Sequence, residues 1–185
     1  MTMMAISTWQ NGAQLESWLG CGMLFTEAAE RWSREEIRST ITERADESPL
    51  TAAEHRDLES WRDGRCAGSR REGALVTVSG RRAARISAVY LPDRIGDREV
   101  IAALQRTDVP LGRALRPLGV RRRLLACHMR ASGPFAVEAA GCLLLGDMPV
   151  ALAREQVFRE FARQPGAETA FGRSALWAWA DGQER

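Results

Sequence analysis

The sequence lacks the long apolar runs and the leader pattern that mark membrane and exported proteins. No stretch of the 185 residues approaches the roughly 18–20 apolar residues that span a bilayer. The start, residues 1–10, has no basic stretch followed by an apolar run, as an export signal would have. We therefore expect a cytoplasmic protein with no membrane span.

Cysteine and histidine are scarce, and their spacing does not suit a metal. The four cysteines form no Cys-x-x-Cys pair, so they predict neither a zinc site nor a dense disulfide framework. Two histidines, His55 and His128, are too few for a histidine-based metal site. We expect no metal and reduced, mostly buried thiols. The cysteines are Cys21, Cys66, Cys127 and Cys142.

Familiar catalytic motifs are also missing. The sequence contains no Gly-x-Ser-x-Gly elbow, no phosphate-binding Gly-rich loop ending in Lys, no dinucleotide-binding Gly-x-Gly-x-x-Gly after a strand and no His-Glu-x-x-His. These absences argue against hydrolases, kinases and metalloproteases.

Lysine is absent, so all 26 basic residues are arginine, and they nearly balance the 24 acidic ones. A formal net charge of +2 favours neither a nucleic-acid partner nor a membrane surface, and it favours a small partner instead. Arginine offers a flat fork that suits carboxylates, although a GC-rich genome would give the same bias.

Hydrophobic periodicity predicts helices first and strands afterwards. Leu15, Trp18 and Leu19 have helical spacing, and a second helical pattern runs through residues 24–32. A β-branched alternating run predicts a strand over residues 36–44, followed by a polar surface connection over residues 46–68 with one helical turn near residues 52–61.

The rest of the chain alternates strands with strong turn signals. A hairpin is predicted from residues 74–78, a Ser-Gly-Arg turn and residues 83–91. Short helices are expected over residues 99–105 and 110–118. Further strands are expected over residues 120–129, 135–145 and 150–158, the last two joined by a turn at residues 146–149.

This order predicts an α+β fold, an antiparallel sheet of consecutive hairpins with helices packed around it. The length suits one domain over residues 1–185, with residues 159–185 as a C-terminal extension. In that extension Trp177 and Trp179 would share one face of a strand, where they would cover a core or meet a second subunit, so monomer and dimer both stay open.

The chemistry that remains available is arginine combined with a carboxylate, which can hold an anion and move a proton. Composition alone selects no pair. The densest basic cluster contains Arg113, Arg116 and residues 121–123, and we interpret it as a solvated face, with a contribution to an anion site as the next choice.

Five segments resemble, in matching order, the chorismate lyase (chorismate–pyruvate lyase) family, whose fold also forms the ligand-sensing domain of GntR-type regulators. Together they lie between Leu15 and Phe158. The segments are Leu15-Glu16-Ser17-Trp18-Leu19, Phe25-Thr26, Arg71-Glu72, Thr107-Asp108-Val109-Pro110-Leu111-Gly112-Arg113, and Gly146-Asp147-Met148-Pro149-Val150-Ala151-Leu152-Ala153-Arg154-Glu155.

The resemblance implies a chorismate lyase-like fold and a cofactor-free lyase that converts chorismate to pyruvate and 4-hydroxybenzoate, or a related hydroxybenzoate, for quinone or secondary metabolism. It implies Arg71 as carboxylate clamp and catalytic residue, Glu155 as proton carrier, and the backbone amides of Leu111 and Phe25 as substrate-binding groups. The substrate class is a small aromatic or cyclohexadienyl carboxylate.

Three alternatives stay open at this point. A one-residue slip of the last strand would exchange Glu155 for Ala153 or Arg154, because strand side chains alternate between faces. Arg70 and Arg71 are adjacent, so a one-residue slip would likewise exchange them as the carboxylate-binding residue. The chain could also be a noncatalytic carboxylate-binding module of the same fold, or a relative acting on another substrate.

Overall fold

A computed structural model of the chain describes residue 17, residues 22–59 and residues 67–163. Outside these residues lie Leu15, Trp18 and Leu19 of the first predicted helix, Cys21, Cys66, and residues 164–185 of the expected extension, which include the Trp177–Trp179 pair. In the described part no helix is long and apolar enough to cross a membrane.

The described residues build an α+β protein around a six-stranded antiparallel sheet with the order β1-β2-β3-β6-β5-β4. Each predicted hairpin therefore pairs its own strands, and β3 and β6 join the two halves of the sheet. The strands are β1 Ile37–Pro49, β2 Ala67–Thr77, β3 Arg82–Tyr90, β4 Arg121–Met129, β5 Phe135–Leu145 and β6 Met148–Phe158.

Short helices connect and cover the strands. Two of them begin at capping side chains: Thr51 and Glu54 form a reciprocal capping box, and Asp97 accepts from two backbone amides. The helices are α1 Phe25–Ser33, α2 Ala52–Asp57, α3 Pro92–Ile95, α4 Arg98–Gln105, α5 Leu111–Leu115, with a 3-10 turn Arg116–Leu118, and α6 Arg159–Ala162.

The predicted strand over residues 36–44 and the polar connection over residues 46–68 need correction. Strand β1 continues to Pro49, and β2 already begins at Ala67, so only the middle of that connection lies between strands. Pairing from Ser48 with Gly68 to Ala45 with Arg70 holds these polar ends in the sheet. Because these strand ends are polar and exposed, their sequence shows no alternation of hydrophobic and polar residues that would predict a strand. The last strand likewise starts two residues earlier than predicted, at Met148.

The two sides of the sheet differ in what covers them. We call the helical face the side that bears Ala84, Ile86, Ala88 and Ala153, because α1, α4 and α5 pack their apolar side chains on it. The opposite side, with Arg85 and Ser87, we call the open face. There Leu50 and Leu58, which flank α2, pack against Val89 and Leu152 at one end of the sheet.

Candidate functional site

Glu155 lies in the middle of the helical face, where β6 runs between β3 and β5. Its strand partners are Ile86 and Ala139, and Glu155 is only 4% exposed. Alternation along β6 sends the neighbouring Arg154 to the open face, where it is exposed. The register of β6 therefore turns Glu155, and not Arg154, towards the interior.

A second buried charge, Arg122 of β4, meets Glu155 in a bidentate ion pair. Arg122 Nη1 and Nη2 donate to the two carboxylate oxygens, each at 2.8 Å. Burial alone would lower the pKa of Arg122, but the charge and hydrogen bonds of Glu155 outweigh it and raise that pKa. A guanidinium stays protonated in proteins, so the buried pair consists of a cation and a carboxylate.

Gly141 makes room for this ion pair. It lies on β5, paired with Leu124 on one side and Ala153 on the other, between the strands that carry Arg122 and Glu155. A methyl group added at Gly141 would lie 2.5 Å from Arg122 Nε. The absence of a side chain on β5 thus allows the guanidinium to reach β6.

Arg71 is the other fully buried cation of the helical face, at 1% exposure. It pairs across β2 and β3 with Ala88, and its Nη2 donates to the carbonyl oxygens of Arg106 at 3.1 Å and Val109 at 2.8 Å. Its Nε and Nη1 have no hydrogen-bond partner among the residues that the structure describes. Burial lowers the pKa of Arg71, because no carboxylate compensates its charge as Glu155 does for Arg122.

The adjacent Arg70 has a different environment. Its side chain points to the open face and binds the Glu54 carboxylate, with Nη1 and Nη2 each 2.6 Å from an oxygen. Arg71 is therefore the member of the pair that faces the interior. Its unpartnered nitrogens make it suited to an anion that enters from the helical side.

Phe25 and Leu111 are the first residues of α1 and α5, and both are buried. Neither helix has a side-chain cap at its start, and the first N–H groups of a helix have no acceptor within it. Both residues line a small cavity of about 30 Å³ together with Glu155 and Arg122.

The structure thus brings three of the four predicted residues, Glu155, Leu111 and Phe25, to one cavity. The fourth, Arg71, does not line that cavity; it lies beside it, as the cross-strand partner of the lining residue Ala88. The segment that Arg71 holds through Arg106 and Val109 leads directly into Leu111.

Arg122 is the residue that sequence reasoning missed, because the basic run of residues 121–123 was interpreted as solvated. That interpretation is correct for Arg121 and Arg123, which are exposed, and wrong for Arg122. The alternation of the predicted strand was the available signal, since the middle residue of three must face the other side.

Other titratable groups add no metal site. Within the described ranges, no three His, Cys, Asp or Glu side chains cluster as metal ligands. Cys127 is half-buried and Cys142 is buried, and burial raises the pKa of Cys142 to about 11. His128 is exposed on the open face.

Comparison of the chain with protein-family models and with curated protein sequences gives no match.

Proposed function

We propose that this chain is a divergent chorismate lyase with a chorismate lyase-like fold, which eliminates pyruvate from chorismate to give 4-hydroxybenzoate or a related hydroxybenzoate. The observation that carries the proposal is a buried carboxylate, Glu155, in a cavity where two uncapped helix starts meet beside a buried arginine with free N–H groups. These groups supply both functions that the reaction needs, anion binding and proton transfer.

Arg71 is the proposed carboxylate clamp. Its Nε and Nη1 can donate two hydrogen bonds to one carboxylate, the strongest geometry that a guanidinium offers. A bound anion would also provide the counter-charge that the buried Arg71 lacks. The N–H groups of Phe25 and Leu111 would add further donors at the same anion.

Glu155 is the proposed proton carrier. A proton leaves the ring carbon that bears the hydroxyl group, and its electron pair completes the aromatic ring. The bond from the adjacent ring carbon to the ether oxygen breaks, and the departing enolpyruvate takes up a proton at its methylene carbon to become pyruvate. Arg122 holds the Glu155 carboxyl group in place through two hydrogen bonds, and each oxygen keeps a second lone pair that can accept the ring proton.

Ring entry requires movement of the covering segments. A cavity of about 30 Å³ holds a water molecule but no six-membered ring. The starts of α1 and α5 form its roof, so these segments must separate from the sheet when a ring binds. Such a closed site would also exclude water from the reaction.

A second candidate is a noncatalytic module that binds a small carboxylate. It is favoured by the saturation of Glu155, since both of its oxygens already accept hydrogen bonds from Arg122. In that case Arg71 would bind the ligand and the Arg122–Glu155 pair would only shape the pocket. A relative that acts on another substrate would share this geometry.

The test is to incubate the purified full chain with chorismate and to measure pyruvate and 4-hydroxybenzoate together against the spontaneous rate. Equal amounts of both are expected. Glu155→Gln should lower the rate at least about 100-fold, the size of a general acid–base contribution. Glu160→Gln removes an exposed carboxylate and should keep the wild-type rate.

Thermal unfolding of each variant separates loss of chemistry from loss of fold. If wild-type protein releases no pyruvate above the spontaneous rate, the lyase proposal is wrong. Saturable binding of 4-hydroxybenzoate without turnover, abolished in Arg71→Met, would then support the binding module.

A further inference from the structure

The open face carries a groove of about 450 Å³ that the proposed reaction does not use. Its floor is formed by a row of small side chains across three strands, Ser87, Ala140 and Ala126, with Arg154 between the first two. Strands lie about 4.8 Å apart, so this row is roughly 14 Å long. Beyond Arg154, the small side chains of Ala140 and Ala126 leave an apolar strip on which an aromatic ring can lie.

Two arginines rise from this floor. Arg85 pairs with Gln156 across β3 and β6, and Arg154 pairs with Ser87, so the two arginines are diagonal neighbours with Cβ atoms about 7 Å apart. Both side chains are exposed. Neither has a hydrogen bond or an ion pair with any residue in the ranges that the structure describes.

Other arginines near the open face have partners, which makes this pair an exception. Arg70 binds Glu54, Arg123 lies 3.7 Å from Glu59, and Arg82 stacks over the Phe158 ring at 4.0 Å. These contacts place the neighbouring guanidinium groups in fixed positions, whereas the charges of Arg85 and Arg154 remain available for a ligand.

Two acidic residues, Glu138 and Glu72, also line the groove. Glu138 accepts hydrogen bonds from Arg130 and from Gln156, and the Arg130 bonds hold the pKa of Glu138 below its usual value. Glu72 accepts from the neutral hydroxyl of Ser87 at 3.4 Å and keeps its charge. Because Arg130 balances Glu138, the groove sets the two charges of Arg85 and Arg154 against the single carboxylate of Glu72, and its net charge is positive.

We propose that the open face binds a small, flat organic anion, of the aryl carboxylate class, through Arg85 and Arg154. Two arginines whose Cβ atoms are about 7 Å apart can both direct their guanidinium groups to one carboxylate. The ring of the ligand would then lie on Ala140 and Ala126, on the β4 side of Arg154. The carboxylate of Glu155 lies on the other face of the sheet, where Arg122 binds it, so this site does not depend on lyase activity.

The experiment is a titration of the ¹⁵N-labelled full chain with 2-naphthoate, followed by backbone amide shifts and by calorimetry. Saturable binding is expected, with the largest shifts at Ser87, Ala126 and Ala140. The Arg85→Gln/Arg154→Gln variant should bind at least about 10-fold more weakly, because it loses both charge-assisted contacts. The neutral analogue 2-naphthamide should bind at least about 10-fold more weakly than naphthoate.

Two controls make the result decisive. Arg31→Gln/Arg98→Gln removes two exposed charges on helices and should leave the affinity within about twofold. Arg71→Met should leave it unchanged as well. Absence of saturable binding at millimolar naphthoate, equal weakening in the Arg31/Arg98 variant, equal binding of the amide, or loss of binding in Arg71→Met alone would each overturn the proposal.

Discussion

Arg70 and Arg71 are neighbours on β2, yet their side chains lie on opposite faces of the sheet and end in different surroundings. Arg70 binds the carboxylate of Glu54 and stays partly in contact with water. Arg71 is buried among backbone carbonyls, with two nitrogens unpartnered. Arg154 and Glu155 repeat this contrast on β6, since Arg154 is exposed and Glu155 is buried against Arg122.

A buried charge destabilises this fold more on the helical face of the sheet than an exposed charge does on the open face. A charge on the open face is solvated, so the fold stays stable without a dedicated partner for it. A charge on the helical face loses its hydration and must be compensated inside the protein. The helical face nevertheless holds Arg71, Arg122 and Glu155, and buried charges of this kind are concentrated at functional sites.

The largest expected effect comes from breaking the buried pair. Arg122→Met leaves the Glu155 carboxylate without its partner and should lower the free energy of unfolding by about 3–5 kcal/mol, measured by urea denaturation. The double variant Arg122→Met/Glu155→Leu replaces both charges with apolar groups and should recover most of that loss. A single-variant loss below about 1 kcal/mol would contradict a compensated buried pair.

Gly141→Ala should have the next largest effect. The added methyl group forces the Arg122 guanidinium away from Glu155, at an expected cost of about 1–3 kcal/mol in unfolding free energy. In an Arg122→Met background the obstacle is gone, so the same substitution should cost less than half as much. Additive costs in this double-mutant cycle would show that Gly141 does not accommodate the ion pair.

On the open face, Arg70→Met should cost about 1–2 kcal/mol at pH 7, because the pair with Glu54 is only partly shielded from water. The Arg70 hydrogen bonds, opposed by burial and helped by Thr51, lower the pKa of Glu54 to about 2. Since that pKa is depressed, the contribution is complete above about pH 4.5 and is lost as the pH falls towards 2. The stability of Arg70→Met should therefore depend less on pH across that window.

The smallest effect is expected for Arg154→Gln. Its side chain is exposed and has no described partner, so the unfolding free energy should change by no more than about 0.5 kcal/mol. The unfolding free energies of Arg154→Gln and Glu155→Gln, measured by urea denaturation, compare two adjacent positions of β6 that lie on opposite faces. A cost at residue 154 equal to that at residue 155 would remove the distinction between the faces.

Local signals in the sequence predicted most of the fold. The turns around Ser79-Gly80 and Gly146-Asp147 separate alternating strands, and the hairpins form there. The extension of β1 to Pro49 was not predictable from hydrophobicity, because its outer residues are polar and exposed on both sides. The strand extends to Pro49 because it pairs with β2, and such pairing depends on residues that are distant in the sequence.

The candidate site was predictable only in part. The resemblance selected Glu155 and Arg71, but whether they face the interior depends on strand register, which the sequence left open. Arg122 lies within a run of three arginines that predicts a solvated face, and its partner Glu155 lies 33 residues away along the chain. The pair can be predicted only from the structure, in which Gly141 of β5 leaves space between β4 and β6 for the Arg122 side chain.

The most direct test compares the rate of pyruvate release from chorismate in Arg71→Met and in Arg70→Met. The account predicts that Arg71→Met loses at least about 10-fold in rate, because the carboxylate clamp is gone, whereas Arg70→Met, on the open face, stays within about twofold of wild type. Equal rates in the two variants, or a larger loss in Arg70→Met, would contradict the assignment of the active site to the helical face.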